Sequence, residues 1–204
     1  MSTTTNFRTL RMVQLALFVA IIILMAFTPI GYIKTIGVEI TLIVVPVTVG
    51  AIVLGPAGGA ILGGVFGITS FIQCFGMSPF GAALLDISPV STFVLCMVPR
   101  ILMGWLTGLI FRAAKKININ LSYAIASLIG PLLNTVLFMI TLILFFYRTE
   151  FIQGFVEQSG TDNIFAFFIA FVGINGLVEA IACFILGTAV AKAIDIVARR
   201  LGAQ

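Results

Sequence analysis

Residues 121–147 contain no Asp, Glu, Lys or Arg. A helix that crosses a bilayer needs about 20 mostly apolar residues, and this run exceeds that length. In hydrocarbon the backbone finds no water, so such a run must satisfy its own N–H and C=O groups by coiling. Apolar runs recur along the chain, at residues 10–27, 40–54, 59–75, 90–111, 122–147 and 164–190. Only 9% of the chain is charged and 61% is hydrophobic, against roughly 25% charge in a soluble domain. The bilayer is therefore the solvent for this chain. The expected fold is an all-α integral membrane protein, a six-transmembrane-helix bundle formed by one domain over residues 1–204.

The first run is longer than the apolar stretch of about 7–15 residues in a signal peptide, so it reads as a retained helix. Gly55-Pro56-Ala57-Gly58 reads as a tight turn between the second and third runs. Residues 28–39, 76–89, 112–120 and 148–163 read as loops. The orientation follows from basic residues. Arg8, Arg11, Arg112, Lys115, Lys116, Lys192, Arg199 and Arg200 fall on the side of both termini, and only Lys34 and Arg148 on the other. Excess Lys and Arg mark the cytoplasmic side, so both termini are expected there. The net charge of +4 then reflects insertion orientation and calls for no nucleic acid.

Several chemistries lack apparatus. The chain has no histidine, which removes the commonest metal ligand and proton carrier, and the 3 cysteines lie too far apart in sequence to suggest a metal site or a disulfide framework. There is no phosphate-cradling G-x-x-x-x-G-K-[ST], no H-E-x-x-H and no G-x-S-x-G. No resident cofactor is expected.

Small residues recur at a spacing of four. Gly59, Gly63 and Gly67 do so in the third run, Gly104 and Gly108 in the fourth, and Ala16 and Ala20 in the first. This spacing lets helix backbones approach closely. The glycines read as internal packing. The alanines read either as packing or as a flat contact face for another membrane protein.

Arg100 interrupts the fourth run about ten residues from its outer end, or ~15 Å deep at 1.5 Å per residue, near the middle of the bilayer. An arginine there costs roughly 2.5–3.5 kcal/mol on insertion scales, so it is expected to face the interior. Pro99 beside it removes a backbone donor and frees a carbonyl. Asn134 and Asn175 reach a similar depth on other helices, and Glu179 shares a face with Asn175 one turn on. Gln73 lies toward the outer end of the third run, and Gly67 leaves room on the same helix. Two readings stand. Arg100 and Glu179 form an ion pair between helices, or Arg100, Asn134, Asn175, Glu179, Gln73 and Gly67 line a pocket for a small polar ligand. The planar fork of Arg100 suits a carboxylate.

The stretches RMVQLALFVAIIILMAFTPIGYI, VEITLIVVPVTVGAIVLGPAGGAILGGVFGITSFI and VPRILMGWLTGLIFRAAKK resemble the substrate-binding S components of energy-coupling-factor (ECF) vitamin transporters. ITLIVVPVTVGAIVLGP, FGITSFIQ and VPRILMG look most like the pantothenate-specific subgroup, with pyridoxine- or hydroxymethylpyrimidine-binding relatives similar there. The resemblance implies a non-catalytic subunit of a bacterial plasma-membrane importer that holds its vitamin near the outer side, under loops 28–39 and 76–89. It implies docking through Ala16 and Ala20 on a transmembrane coupling subunit, EcfT, and ATP bound by two cytoplasmic ATPase subunits. Pantothenate has one carboxylate, an amide and two hydroxyls. In that reading Arg100 takes the carboxylate, and Asn134, Asn175 and Glu179 the remaining groups. Two other functions remain open: a stand-alone proton-coupled transporter using Glu179, and an intramembrane enzyme using Glu179 or Asp86.

Overall fold

In a computed structural model the described residues are mostly helical. The structure describes residues 3–29, 31–33, 40–158 and 176–193. Five helices among the described residues are long and apolar enough to cross a membrane.

The first helix, α1 (Thr3–Ala26), buries Phe18, Ile22 and Ala26 on one stripe. Thr28 N–H and Gly31 N–H close turns after it, and Pro29 cannot extend it. Two short strands follow, β1 (Tyr32–Ile33) and β2 (Ile40–Thr41). They pair antiparallel with Tyr32 opposite Thr41 and Ile33 opposite Ile40.

The second and third apolar runs are joined in one element, α2 (Val44–Gln73), broken at Gly55 with φ 82° and ψ −174°. That backbone lies where L side chains rarely go, and Pro56 pre-sets the first turn of the next arm. The two arms fold back on each other. Residues 50 and 62 would lie ~18 Å apart in a straight helix, yet Leu62 packs directly over Gly50, and Ala51 meets Gly59. The break falls where the sequence places its turn.

The 76–89 stretch, expected as a loop, contains a nine-residue helix, α3 (Pro79–Ile87), capped by Ser78, whose hydroxyl accepts from Gly81 N–H at 3.4 Å. Ser88 caps α4 (Pro89–Lys115) in the same way, with Pro89 in its first turn and Arg112 and Lys115 in its last, where cations offset the helix dipole. Asn118 caps α5 (Ile119–Phe146) through Asn120 N–H at 2.9 Å and Leu121 N–H at 3.2 Å.

The 148–163 stretch, also expected as a loop, begins with a second short helix, α6 (Glu150–Gln158). Its Ile152 and Val156 pack on Leu84 of α3, Leu95 of α4, and Met139, Leu142 and Phe146 of α5. Part of the expected sixth run lies outside the described residues. What is described of it forms α7 (Gly176–Ala193), with a π-helical turn at Cys183–Gly187.

The second arm of α2 runs against α4 in antiparallel fashion. Gly59 faces the carbonyl of Gly104 and the reverse, Gly63 faces the carbonyl of Arg100, and Gly108 lies on Pro56. Every one of these is a backbone-to-backbone approach that leaves no room for a Cβ. The main core gathers Phe18 and Ile22 of α1, Val47, Leu62 and Phe66 of α2, Met103 of α4, Ala126 of α5 and Cys183 of α7.

Candidate functional site

Arg100 lies inside the bundle, one residue after a proline within the continuous helix α4. Pro99 has no N–H, so the carbonyl of Leu95, four residues back, lacks its helical donor. Arg100 Nη1 takes that carbonyl at 2.6 Å. Its Nη2 reaches Ser70 Oγ on α2 at 3.5 Å. The guanidinium carbon sits 5.4 Å from the centre of the Phe66 ring and 5.0 Å from that of Phe138, close enough for cation–π attraction from both. The residue is 8% exposed, and its Nε is buried without a partner. A guanidinium has five N–H donors in a fixed fork. Among the described residues, the contacts leave part of that fork, including Nε, unengaged.

Glu179 enters from α7 and is 6% exposed. Its Oε1 accepts the backbone N–H of Thr41 at 2.7 Å, which ties α7 to the end of β2. The Asn134 side chain approaches the same carboxylate, and the charge of Arg100 is felt there. Asn134 is itself buried, with its Oδ1 unpartnered. Among the described residues, the guanidinium takes Leu95 O and Ser70 Oγ as hydrogen-bond acceptors, so it is not spent on a direct ion pair with Glu179.

The residues singled out in the sequence thus separate into groups. Arg100, Asn134 and Glu179, from α4, α5 and α7, gather at one level inside the bundle. Gln73 is placed differently: its Nε2 donates to Ala26 O at 2.5 Å and fastens the end of α2 to the end of α1. Gly67 lies against the carbonyl of Cys96 and the sulfur of Met97, in the contact between α2 and α4. Ala16 and Ala20 are exposed on the outer face of α1. Asn175 lies outside the described residues.

Three participants escaped sequence reasoning. Thr41 contributes only a backbone N–H, which no residue type announces. Phe66 and Phe138 read as ordinary apolar residues, although each stands one turn from a polar residue, Ser70 and Asn134 respectively. Other polar side chains near the outer end are occupied locally. Thr69 Oγ1 donates to Phe66 O and Thr92 Oγ1 to Ser88 O, each at 2.9 Å.

The site offers a cation with free donors, a carboxylate, an amide and two aromatic faces. Chemically, such a set suits a small molecule carrying both an anionic group and hydrogen-bonding groups. Among the described residues no cluster of three metal-ligating side chains occurs.

Comparison with known proteins gives two findings. The family described as "ECF transporter, substrate-specific component" matches residues 10–191. Similar proteins include the "Pantothenate transporter PanT" of Leuconostoc mesenteroides subsp. mesenteroides, 29% identical with 97% of this chain and 98% of that protein aligned. They also include the "Pantothenic acid transporter PanT" of Lactococcus lactis subsp. cremoris, 32% identical with 88% and 91% aligned.

Proposed function

We propose, from the premise that this chain belongs to the family of ECF transporter substrate-specific components, that it captures pantothenate and presents it for ATP-driven import. Membership makes it a multi-pass membrane transport protein rather than an enzyme. The observation that carries the ligand reading is Arg100: a buried guanidinium clamped by Leu95 O, Ser70 and two rings, with Nε left unpaired. Pantothenate's carboxylate completes that fork. Its amide and hydroxyls have Asn134 and Glu179 as neighbours, with Asn175 as a further partner.

The same reading gives six membrane passages, because α2 reverses at Gly55. Both termini then lie in the cytoplasm of a bacterial cell, under the plasma membrane. The chain needs no cofactor of its own. Two cytoplasmic ATPase subunits bind ATP, and the coupling subunit EcfT receives the chain through the Ala16–Ala20 face of α1.

The test is direct titration of pantothenate into the purified protein and its Arg100→Ala variant. Wild-type protein binds saturably, and pyridoxine and hydroxymethylpyrimidine do not compete. The variant loses about thirtyfold or more in affinity, the low end of the 2–5 kcal/mol seen when one partner of a buried charged hydrogen bond is truncated. Unchanged affinity in Arg100→Ala removes the arginine from the site.

A further inference from the structure

Ser70 stands in the last turn of α2 and Cys74 is the residue just past its end, four positions on, while Cys96 and Arg100 stand one turn apart on α4. The helices are antiparallel, so these residues form two successive cross-links. One is the hydrogen bond from Arg100 to Ser70. At the other, Cys74 Sγ and Cys96 Sγ face each other at 3.9 Å. Both cysteines are buried and free.

We propose that Cys74 and Cys96 are a redox modification site: small two-electron oxidants of the peroxide class convert this dithiol to a disulfide that staples α2 to α4 beside Arg100. The geometry supplies the reason. Closing the bond requires the facing sulfurs to move from 3.9 Å to about 2.05 Å. The step balances. One thiol sulfur attacks an oxygen of hydrogen peroxide, the O–O bond breaks, and a sulfenic acid and one water result. The second sulfur then attacks the sulfenic sulfur, the S–S bond forms, and a second water leaves. Two thiol hydrogens and two electrons have passed to the peroxide.

Burial decides which reagents gain entry. A Cβ built on Gly81 of α3 would stand 2.7 Å from Cys74 Sγ, so α3 lies close over that sulfur. A bulky maleimide is kept out, whereas hydrogen peroxide is barely larger than water. Cys183 lies on α7 and shares no such partner among the described residues. The reacting pair adjoins the guanidinium, so drawing the helices together at Cys74–Cys96 alters the Ser70–Arg100 contact one turn away. That consequence rests on the pantothenate reading above; formation of the disulfide does not.

The experiment treats the whole purified protein, in lipid nanodiscs, with hydrogen peroxide and maps peptides by non-reducing mass spectrometry. The expected product lacks two hydrogens, joins the Cys74 and Cys96 peptides, and reverts with dithiothreitol. Cys74→Ser and Cys96→Ser each abolish it, and Cys183→Ser retains it. Recovery of free thiols only, or of sulfinic acids without a cross-link, overturns the proposal. Pantothenate titration of the reduced and oxidised forms tests the consequence. A fall of about tenfold in affinity, ~1.4 kcal/mol, is expected on oxidation, and equal affinity in both forms refutes coupling to the site. Absence of pantothenate binding by the reduced protein rejects the ligand reading and leaves the cross-link result to stand by itself.

Discussion

A proline inside a spanning helix leaves one carbonyl without its amide, and here the next residue supplies the missing donor. Arg100 therefore satisfies Leu95 O and still has its Nε buried without a partner, the group that the proposed reading assigns to the ligand. Glu179 is the opposite case, a buried acceptor whose partner is the Thr41 backbone N–H at 2.7 Å. Glu179→Gln preserves an acceptor oxygen at that position, whereas Glu179→Ala leaves the Thr41 N–H buried without one. Leaving such a group unsatisfied costs about 1–3 kcal/mol. Thermal unfolding in detergent is thus expected to show Glu179→Ala less stable than Glu179→Gln by that order. The reverse ranking would show that the charge, not the bond, holds α7 to β2. Depth counting in the sequence puts Arg100, Asn134, Asn175 and Glu179 near one level, because helix rise is constant; Asn134 and Arg100 do lie near Glu179, while Asn175 lies outside the described residues. It does not show that Gln73, placed toward the outer end, is turned to Ala26 O. Orientation around a helix depends on its neighbours, and these enter only with tertiary structure.

The α2–α4 crossing shows which part of an element is written in its residues. Glycines four apart announced close packing, and Gly-Pro announced the reversal at Gly55. Ser78-Pro79 and Ser88-Pro89 also carry helix-start signals. The first was passed over because a criterion built on bilayer length treats a nine-residue helix as a loop. The same blindness hid α6, whose apolar side is covered by the second core cluster. The crossing yields a prediction with its own control. A Cβ on Gly63 would collide with the carbonyl of Arg100, while one on Gly64 would meet only Ile101 Cγ1 at 3.8 Å. Gly63→Ala is expected to destabilise by about 1–3 kcal/mol, as overpacking does, and to weaken pantothenate binding by shifting the arginine backbone. Gly64→Ala is expected to be neutral or stabilising, since alanine favours a helix over glycine by up to ~1 kcal/mol. Parallel melts and titrations decide it; equal behaviour of the two variants would contradict the crossing as described.

The molecule as a whole presents two kinds of outside. Most helices expose scattered apolar side chains suited to lipid tails. On α1, by contrast, Met12, Val13, Leu17, Ile23 and Leu24 are exposed around the small Ala16 and Ala20, so a shallow strip runs between larger side chains. Orientation comes first. A cysteine placed at Ile117, 87% exposed between α4 and α5, should react with a membrane-impermeant maleimide only from the cytoplasmic side, and one at Glu157 on α6 only from outside. The native cysteines are buried and give little background. Labelling of both positions from one side would overthrow the six-passage arrangement. On the proposed reading, binding and delivery are separable, because Arg100, Asn134 and Glu179 lie inside the bundle and Ala16 and Ala20 lie on its surface. Tryptophan at Ala16 or Ala20 should leave pantothenate affinity of the isolated chain within about twofold, as surface changes usually do. Uptake into proteoliposomes that also contain the coupling and ATPase subunits should fall by about tenfold or more, the effect of ~1.4 kcal/mol lost at the docking face. Leu144→Trp, at an exposed position on α5, supplies the comparison. Equal losses of uptake in all three variants would assign the defect to bulk in the membrane, while a loss confined to the α1 variants would assign it to docking.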